Sequence, residues 1–280
     1  MCVISLGTRG ALDGWSRGRS TAALGGLPTQ EAHRLSIVAT QTLNPTTIGH
    51  DSRSRRRREQ VFFVAMAVIT VLTVLVGFAR TYYLKPFRGA PPLPLLIHLH
   101  AAIFTTWLLL FLTQTTLVAS GRVNIHRRLG VAGAALAAAM VVFGFLTAIA
   151  GARHGLTIGP LDPLGSLIVP VVDIGRFAVL VSAGLLCRRD AEWHRRLMLL
   201  AMVALTDPAI GRFPLVGSSI GFEMALMTLF VLAGPVNDWL VRGRVHPAYI
   251  WGGLLIMAGL PLKVLGFTTA WHTFAAWVIR

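Results

Sequence analysis

Residues 98–140 read HLHAAIFTTWLLLFLTQTTLVASGRVNIHRRLGVAGAALAAAM, and this stretch decides the fold. Two long apolar runs flank a short linker whose only charged residues are Arg122, Arg127 and Arg128. A helix needs roughly 20 apolar residues to cross a bilayer core. Each run is long enough, and the same layout recurs along the chain. Composition agrees: 54% of the 280 residues are hydrophobic and 13% are charged, about half the charged share of ~25% usual in soluble domains. The expected fold is therefore all-α, a polytopic bundle of transmembrane helices.

Seven apolar segments are expected as spans, near 61–79, 94–118, 129–151, 165–187, 196–213, 217–239 and 247–267. The fifth is short and carries Asp207-Pro208. A break is expected near Gly266, followed by a short interfacial helix with Trp271 and Trp277 at headgroup depth. Loop charges set the orientation. Arg53, Arg55, Arg56, Arg57, Arg58, Arg122, Arg127, Arg128, Arg188, Arg189, Arg195, Arg196, Arg242 and Arg244 belong to one side. Arg80, Lys85, Arg88, Arg153 and Arg212 belong to the other. The richer side is expected in the cytoplasm, with the N-terminus, as the positive-inside rule requires. The expected location is a bacterial inner membrane.

Residues 1–60 lack a sustained apolar period and end in SRSRRRREQ, residues 52–60. They are expected to be a disordered basic tail; a start codon assigned too far upstream would read the same way. The transmembrane domain is then 61–280. The net charge of +15 would suggest nucleic acid in a soluble chain. Here basic residues flank apolar spans, so the expected partner is the lipid bilayer and not nucleic acid. No phosphate loop, dinucleotide fingerprint, CxxC pair or HExxH is present.

HRRL is written twice, at 126–129 and 194–197, each time before an apolar run. The two copies suggest an approximate duplication of two helix pairs. They also place His126 and His194 at matching depths on the basic side. Imidazole binds haem iron and other transition metals. Arg127, Arg128, Arg195 and Arg196 could pair with haem propionates, as guanidinium does with carboxylates. Alternatively, His-Arg-Arg is a basic anchor that snorkels to headgroups. On the second segment His100, Trp107 and Gln114 are spaced by seven, a drift of only about 20° per step on a helix. They form one polar-aromatic stripe, and His100 is the expected outer ligand. His98 lies about 160° around the helix from it. Asp173 and Arg176 are three apart and can pair on one face. Asp207 is expected to bond freed backbone groups or Arg212, and Lys263 to snorkel outward.

The segments 98–140, WHRRLMLLAMVALTDPAIGRFP (193–214), VHPAYIWGGLLIMAG (245–259) and TAWHTFAAWV (269–278) together resemble an uncharacterised family of bacterial multi-pass integral membrane proteins. The resemblance covers roughly residues 94–280. It carries no established activity. The layout is also loosely similar to transmembrane b-type cytochromes with histidines on core helices. That similarity implies haem b, with His126, His194 and His100 as iron ligands, and electron transfer to a redox partner. The alternative is a cofactor-free transporter of a small-molecule substrate, or an accessory or sensor subunit. A third reading, a metal-dependent membrane hydrolase, lacks a compelling cluster of three His or Asp residues on one side.

Overall fold

Helices form where the apolar runs predicted them, and caps and prolines set their ends. The computed structural model describes residues 45–213 and 220–280. The chain divides into two units, residues 1–58 and 59–280. In the first, residues 1–44 of the expected tail lie outside the described residues. From Pro45 onward the chain is helical, because α1 spans Pro45–Phe78. The basic run at 53–58 is thus part of a helix rather than tail, with its arginines exposed.

In the second unit α1 ends in a π-helical turn, Ala79–Tyr83. The APPLP segment (90–94) then keeps the chain extended, because proline fixes φ and restricts the residue before it. The next helices are α2 (Leu95–Ala119) and α3 (Val123–Arg153). Gly155, in the left-handed region at φ +75°, closes α3 as C-terminal glycines do. A short helix, α4 (Pro163–Ser166), is capped by the Asp162 side chain, which accepts from the Gly165 N–H. It leads into α5 (Ile168–Leu186). Then come α6 (Ala191–Ala204), α7 (Asp207–Ile210), α8 (Ile220–Arg242) and α9 (Pro247–Leu262). A 3-10 segment, Lys263–Phe267, breaks the chain around the expected Gly266, and α10 follows (Thr269–Val278). Among the described residues the only extended pairing is one bridge, Ile158 to Leu161. The protein is an all-α, multi-pass membrane bundle.

Six helical stretches are long and apolar enough to cross a membrane: Arg53–Tyr83, Leu95–Ala119, Val123–Arg153, Pro163–Leu186, Gly221–Arg242 and Pro247–Phe267. Seven were expected. The fifth segment differs because Thr206-Asp207-Pro208 breaks it into α6 and α7, 14 and 4 residues long. Proline has no N–H for the helix ladder. The broken element is nonetheless the centre of the bundle: Leu199, Leu200, Ala201, Met202, Val203 and Ala204 are all buried. Its start meets the beginning of the α1 apolar run, where Arg195 bonds Glu59 at 3.0 Å. Its end meets the far end of that run, where the Ala209 carbonyl lies against Gly77. It therefore runs the length of the bundle, shielded by protein.

Helix α2 packs chiefly on α3, and α5 on α6. Small residues allow the close approach: α3 buries Gly133, Ala137, Gly144, Ala148 and Ala152 along one stripe. Small side chains let backbones come together where lipid gives no hydrophobic drive. A Cβ on Gly144 would come within 2.7 Å of the Ile174 side chain. These packings bring the two HRRL segments to one end of the bundle.

Candidate functional site: an imidazole pair beside a buried ion network

His126 and His194 are each the fourth residue of their helix, α3 from Val123 and α6 from Ala191. The N-terminus of α6 is fixed by Asp190, whose side chain accepts from the N–H groups of Glu192 and Trp193 at 2.9 and 3.3 Å. The first turn of α3 is held by Gln114 on α2, whose Nε2 donates to the His126 carbonyl at 3.2 Å. With both helix starts anchored, the two imidazoles face each other. Their ring centroids are 6.1 Å apart and the rings are crossed at 73°.

The protonation of His194 follows from its partner. Nδ1 lies 2.7 Å from the Gly184 carbonyl oxygen, which can only accept, so Nδ1 donates. In the neutral ring Nε2 then carries the lone pair. Such an outer hydrogen bond is how ligating histidines are oriented. His126 Nδ1 is buried and has no hydrogen-bond partner among the described residues.

The four arginines of the two copies separate into two kinds. Arg127 and Arg128 are exposed and make no ion pair among the described residues. Arg195 and Arg196 are engaged by carboxylates. Arg196, fully buried, grips Asp238 with two bonds, Nε to Oδ2 at 2.9 Å and Nη2 to Oδ1 at 2.7 Å. It also donates to Glu192 at 2.6 Å and lies 5.4 Å from the Tyr249 ring centroid. Arg195 bonds Glu59 and Glu192, and Arg242 bonds the same two glutamates at 2.5 Å each. The network ties α1, α6 and α8 together beneath His194. Burial alone would raise the Glu192 carboxyl, but hydrogen bonds from Arg242 and Arg196 outweigh it and hold it at about 2. His246 caps α9, its Nδ1 accepting from the Ala248 N–H at 3.1 Å, and packs on Trp193. Burial, and then the nearby Arg196 charge, lower its pKa.

His100 stands elsewhere. It precedes Gln114 by 14 residues of one helix, about 21 Å at 1.5 Å per residue. Its ring is half-buried and stacks on Phe104 at 4.1 Å, while His98 is exposed and shares a hydrogen bond with the Tyr82 hydroxyl. Trp107, on the same stripe, is buried edge-on to Phe177. The stripe faces inward, but it spans the bundle rather than converging on one site.

At the His100 end lies a second buried network. Asp173 pairs with Arg176 as expected. Asp207 pairs with Arg176 at 2.6 Å and with Lys263 at 2.7 Å, and among the described residues not with Arg212 or backbone. Lys263 therefore turns inward instead of snorkelling, because two buried carboxylates offer it more than headgroups do. Arg176 also donates to the Ile256 carbonyl at 2.8 Å. Gly259 makes room for it, since a Cβ there would sit 2.6 Å from Arg176 Cδ. Sequence reasoning used Arg242 only as an orienting loop charge and passed over Glu59, Glu192 and Asp238. Asp238, a lone acid closing an apolar helix, was the available signal.

Among the described residues no group of three or more His, Cys, Asp or Glu side chains could hold a metal ion. No known protein family, curated protein or solved structure matches this chain.

Proposed function

We propose that the chain is a b-type haem protein of a bacterial inner membrane, in which His126 and His194 would hold the iron. The observation that carries this is the spacing of the two rings. Two imidazoles bonded to one metal ion, each nitrogen about 2.0 Å away, have centroids at most about 6.4 Å apart. The 6.1 Å separation of His126 and His194 falls just inside that limit. The Gly184 carbonyl on Nδ1 leaves His194 Nε2 as the ligating atom. Two protein ligands are too few for a bare tetrahedral ion, but they complete the coordination of an iron held by a porphyrin.

The remaining residues then have distinct tasks. Arg127 and Arg128, exposed and without an ion pair among the described residues, would hold the propionate groups. Arg195 and Arg196 hold α6, and so the His194 ring, through Glu59, Glu192 and Asp238. When bound, haem supplies one-electron oxidation and reduction. The arginine-rich end faces the cytoplasm in this reading, and a redox partner docks there.

The test is the haem content of protein purified from cells supplied with haem. His126→Ala and His194→Ala should each reduce the haem-to-protein ratio at least tenfold while the protein still inserts and stays monodisperse. Unchanged haem content in both variants would remove the assignment.

A further inference from the structure

We infer that the end of the bundle holding the imidazole pair binds anionic phospholipid, whose phosphate groups seat on Arg122, Arg188, Arg189 and Arg244. Three short turns meet there. Residues 120–122 join α2 to α3, residues 187–190 join α5 to α6, and residues 243–246 join α8 to α9. The ring contact of His126 with His194 brings the first two together. Trp193, at the start of α6, packs on His246 with ring centroids 5.1 Å apart, which brings in the third.

The chain's own acids do not balance the charge at this end. Glu59, Glu192 and Asp238 are committed to Arg195, Arg196 and Arg242. Arg122, Arg127, Arg128, Arg188, Arg189 and Arg244 stay exposed, and the exposed acid beside them is Asp190. None of these arginines makes an ion pair among the described residues. The Asp190 carboxylate is turned to the N–H groups of Glu192 and Trp193. With Arg127 and Arg128 given to haem propionates, the other arginines still lack a counter-ion, so the anion comes from outside the chain.

Depth identifies that anion. Exposed apolar side chains run up to each turn: Val118 is 42% exposed, Leu186 79% and Leu240 69%. Arg122 follows Val118 by four residues, Arg188 follows Leu186 by two, and Arg244 follows Leu240 by four. Turns this short keep their guanidiniums near the headgroup layer, which is about 5–8 Å deep on each side of the hydrocarbon core. Each arginine thus stands at the edge of lipid-facing apolar surface. A phospholipid matches both parts, with its acyl chain on the leucines and its phosphate on the guanidiniums. An acidic protein or a nucleic acid brings the charge without the chain. The planar fork of arginine also bonds phosphate oxygens in pairs, which an ammonium group does not. These arginines are separate from the histidine pair, so the lipid site and the haem site stand or fall independently.

The test counts the lipid that the full chain retains. The protein is reconstituted in bilayers of equal phosphatidylglycerol and phosphatidylcholine, released into mild detergent, and weighed by native mass spectrometry. The wild type should retain about fivefold more phosphatidylglycerol than phosphatidylcholine, as expected for several arginines at an anionic surface. A variant with Arg122→Gln, Arg188→Gln, Arg189→Gln and Arg244→Gln should lose most of that excess, while the remaining arginines on that side keep its orientation. A variant with Arg80→Gln, Lys85→Gln and Arg88→Gln, which removes charge on the other side, should keep the excess. Equal retention of the two lipids by the wild type would overturn the proposal. So would an undiminished excess in the four-arginine variant. Nucleic acid retained by the wild type in place of lipid, and lost in that variant, would also overturn it, by making the occupant a polynucleotide.

Discussion

At the residue scale, the strongest single constraint on the site is the fork between Arg196 and Asp238. Arg196 is fully buried and Asp238 is 2% exposed, so each charge depends on the other for solvation. Removing one partner of a buried pair leaves the other uncompensated, at a cost of about 3–5 kcal/mol. Asp238→Ala is expected to lower stability by about that amount, read as the loss of detergent-solubilised folded protein in a denaturant titration. Asp238 also accepts from the His246 N–H at 3.2 Å, so the start of α9 should loosen in the same variant. A change below about 0.5 kcal/mol, the level of ordinary surface substitutions, would mean that Arg196 is satisfied by Glu192 alone.

At the element scale, α10 is held to the body by four contacts of different character. Trp271 Nε1 donates to the Leu164 carbonyl at 2.9 Å, and Arg153 Nε to the Ile279 carbonyl at 2.7 Å. Gly266 packs against the Gly165 carbonyl. His272 Nε2 pairs with Asp162 at 2.9 Å, and only this contact titrates near neutrality. The Thr268 carbonyl and then Asp162 raise the His272 pKa. The His272 bond and then the Gly165 N–H lower that of Asp162. A raised histidine contributes fully below its unfolded value of about 6.5 and loses that contribution as pH rises through its folded value. A lowered aspartate contributes above about 3.9 and loses its contribution as pH falls through its folded value. The latch is therefore strongest between about pH 4 and 6.5. Amide exchange in α10, corrected for intrinsic rates, should show more opening at pH 8 than at pH 5.5, and His272→Ala should remove the difference. Equal opening at both values in the wild type would show that Trp271 and Arg153 hold the helix alone.

The same scale shows what sequence made legible. Apolar runs and loop arginines located the helices, because span length and flanking charge are local properties. The break near Gly266 followed from a helix that would otherwise exceed the bilayer. The fifth segment, expected as a short span carrying Asp207-Pro208, is not one span-length helix. Its Asp207-Pro208 break leaves two pieces too short to count as spans alone, and they run through the centre because surrounding helices cover them. The tail was expected to reach residue 60, but helix α1 begins at Pro45. Arginines are good helix formers, so a polar composition did not mark the helix start.

Across the whole molecule, chemistry-bearing side chains gather at two ends of one bundle. The duplicated HRRL string correctly suggested equivalent positions for His126 and His194, and the two rings do meet. It gave no sign that Arg195 and Arg196 would be engaged by Glu59 and Asp238, because those partners lie 136 and 42 residues away in sequence. His100 shares an inward face with Gln114 yet sits near the opposite network, since helix periodicity fixes a face and not a depth. The buried acids of α5 and α7 were visible one by one. Their convergence on Arg176 and Lys263 depended on the packing of α9.

In the proposed reading, two repeated histidines hold one redox-active iron. It is tested most directly by a reduced-minus-oxidised absorption spectrum of the full chain, purified in detergent from cells supplied with haem. A Soret shift with a sharp reduced α band, at one haem per chain and absent from the His126→Ala, His194→Ala double variant, is the predicted result. A flat spectrum from monodisperse wild-type protein would contradict it, and would return both HRRL copies to anchoring helices at the membrane surface.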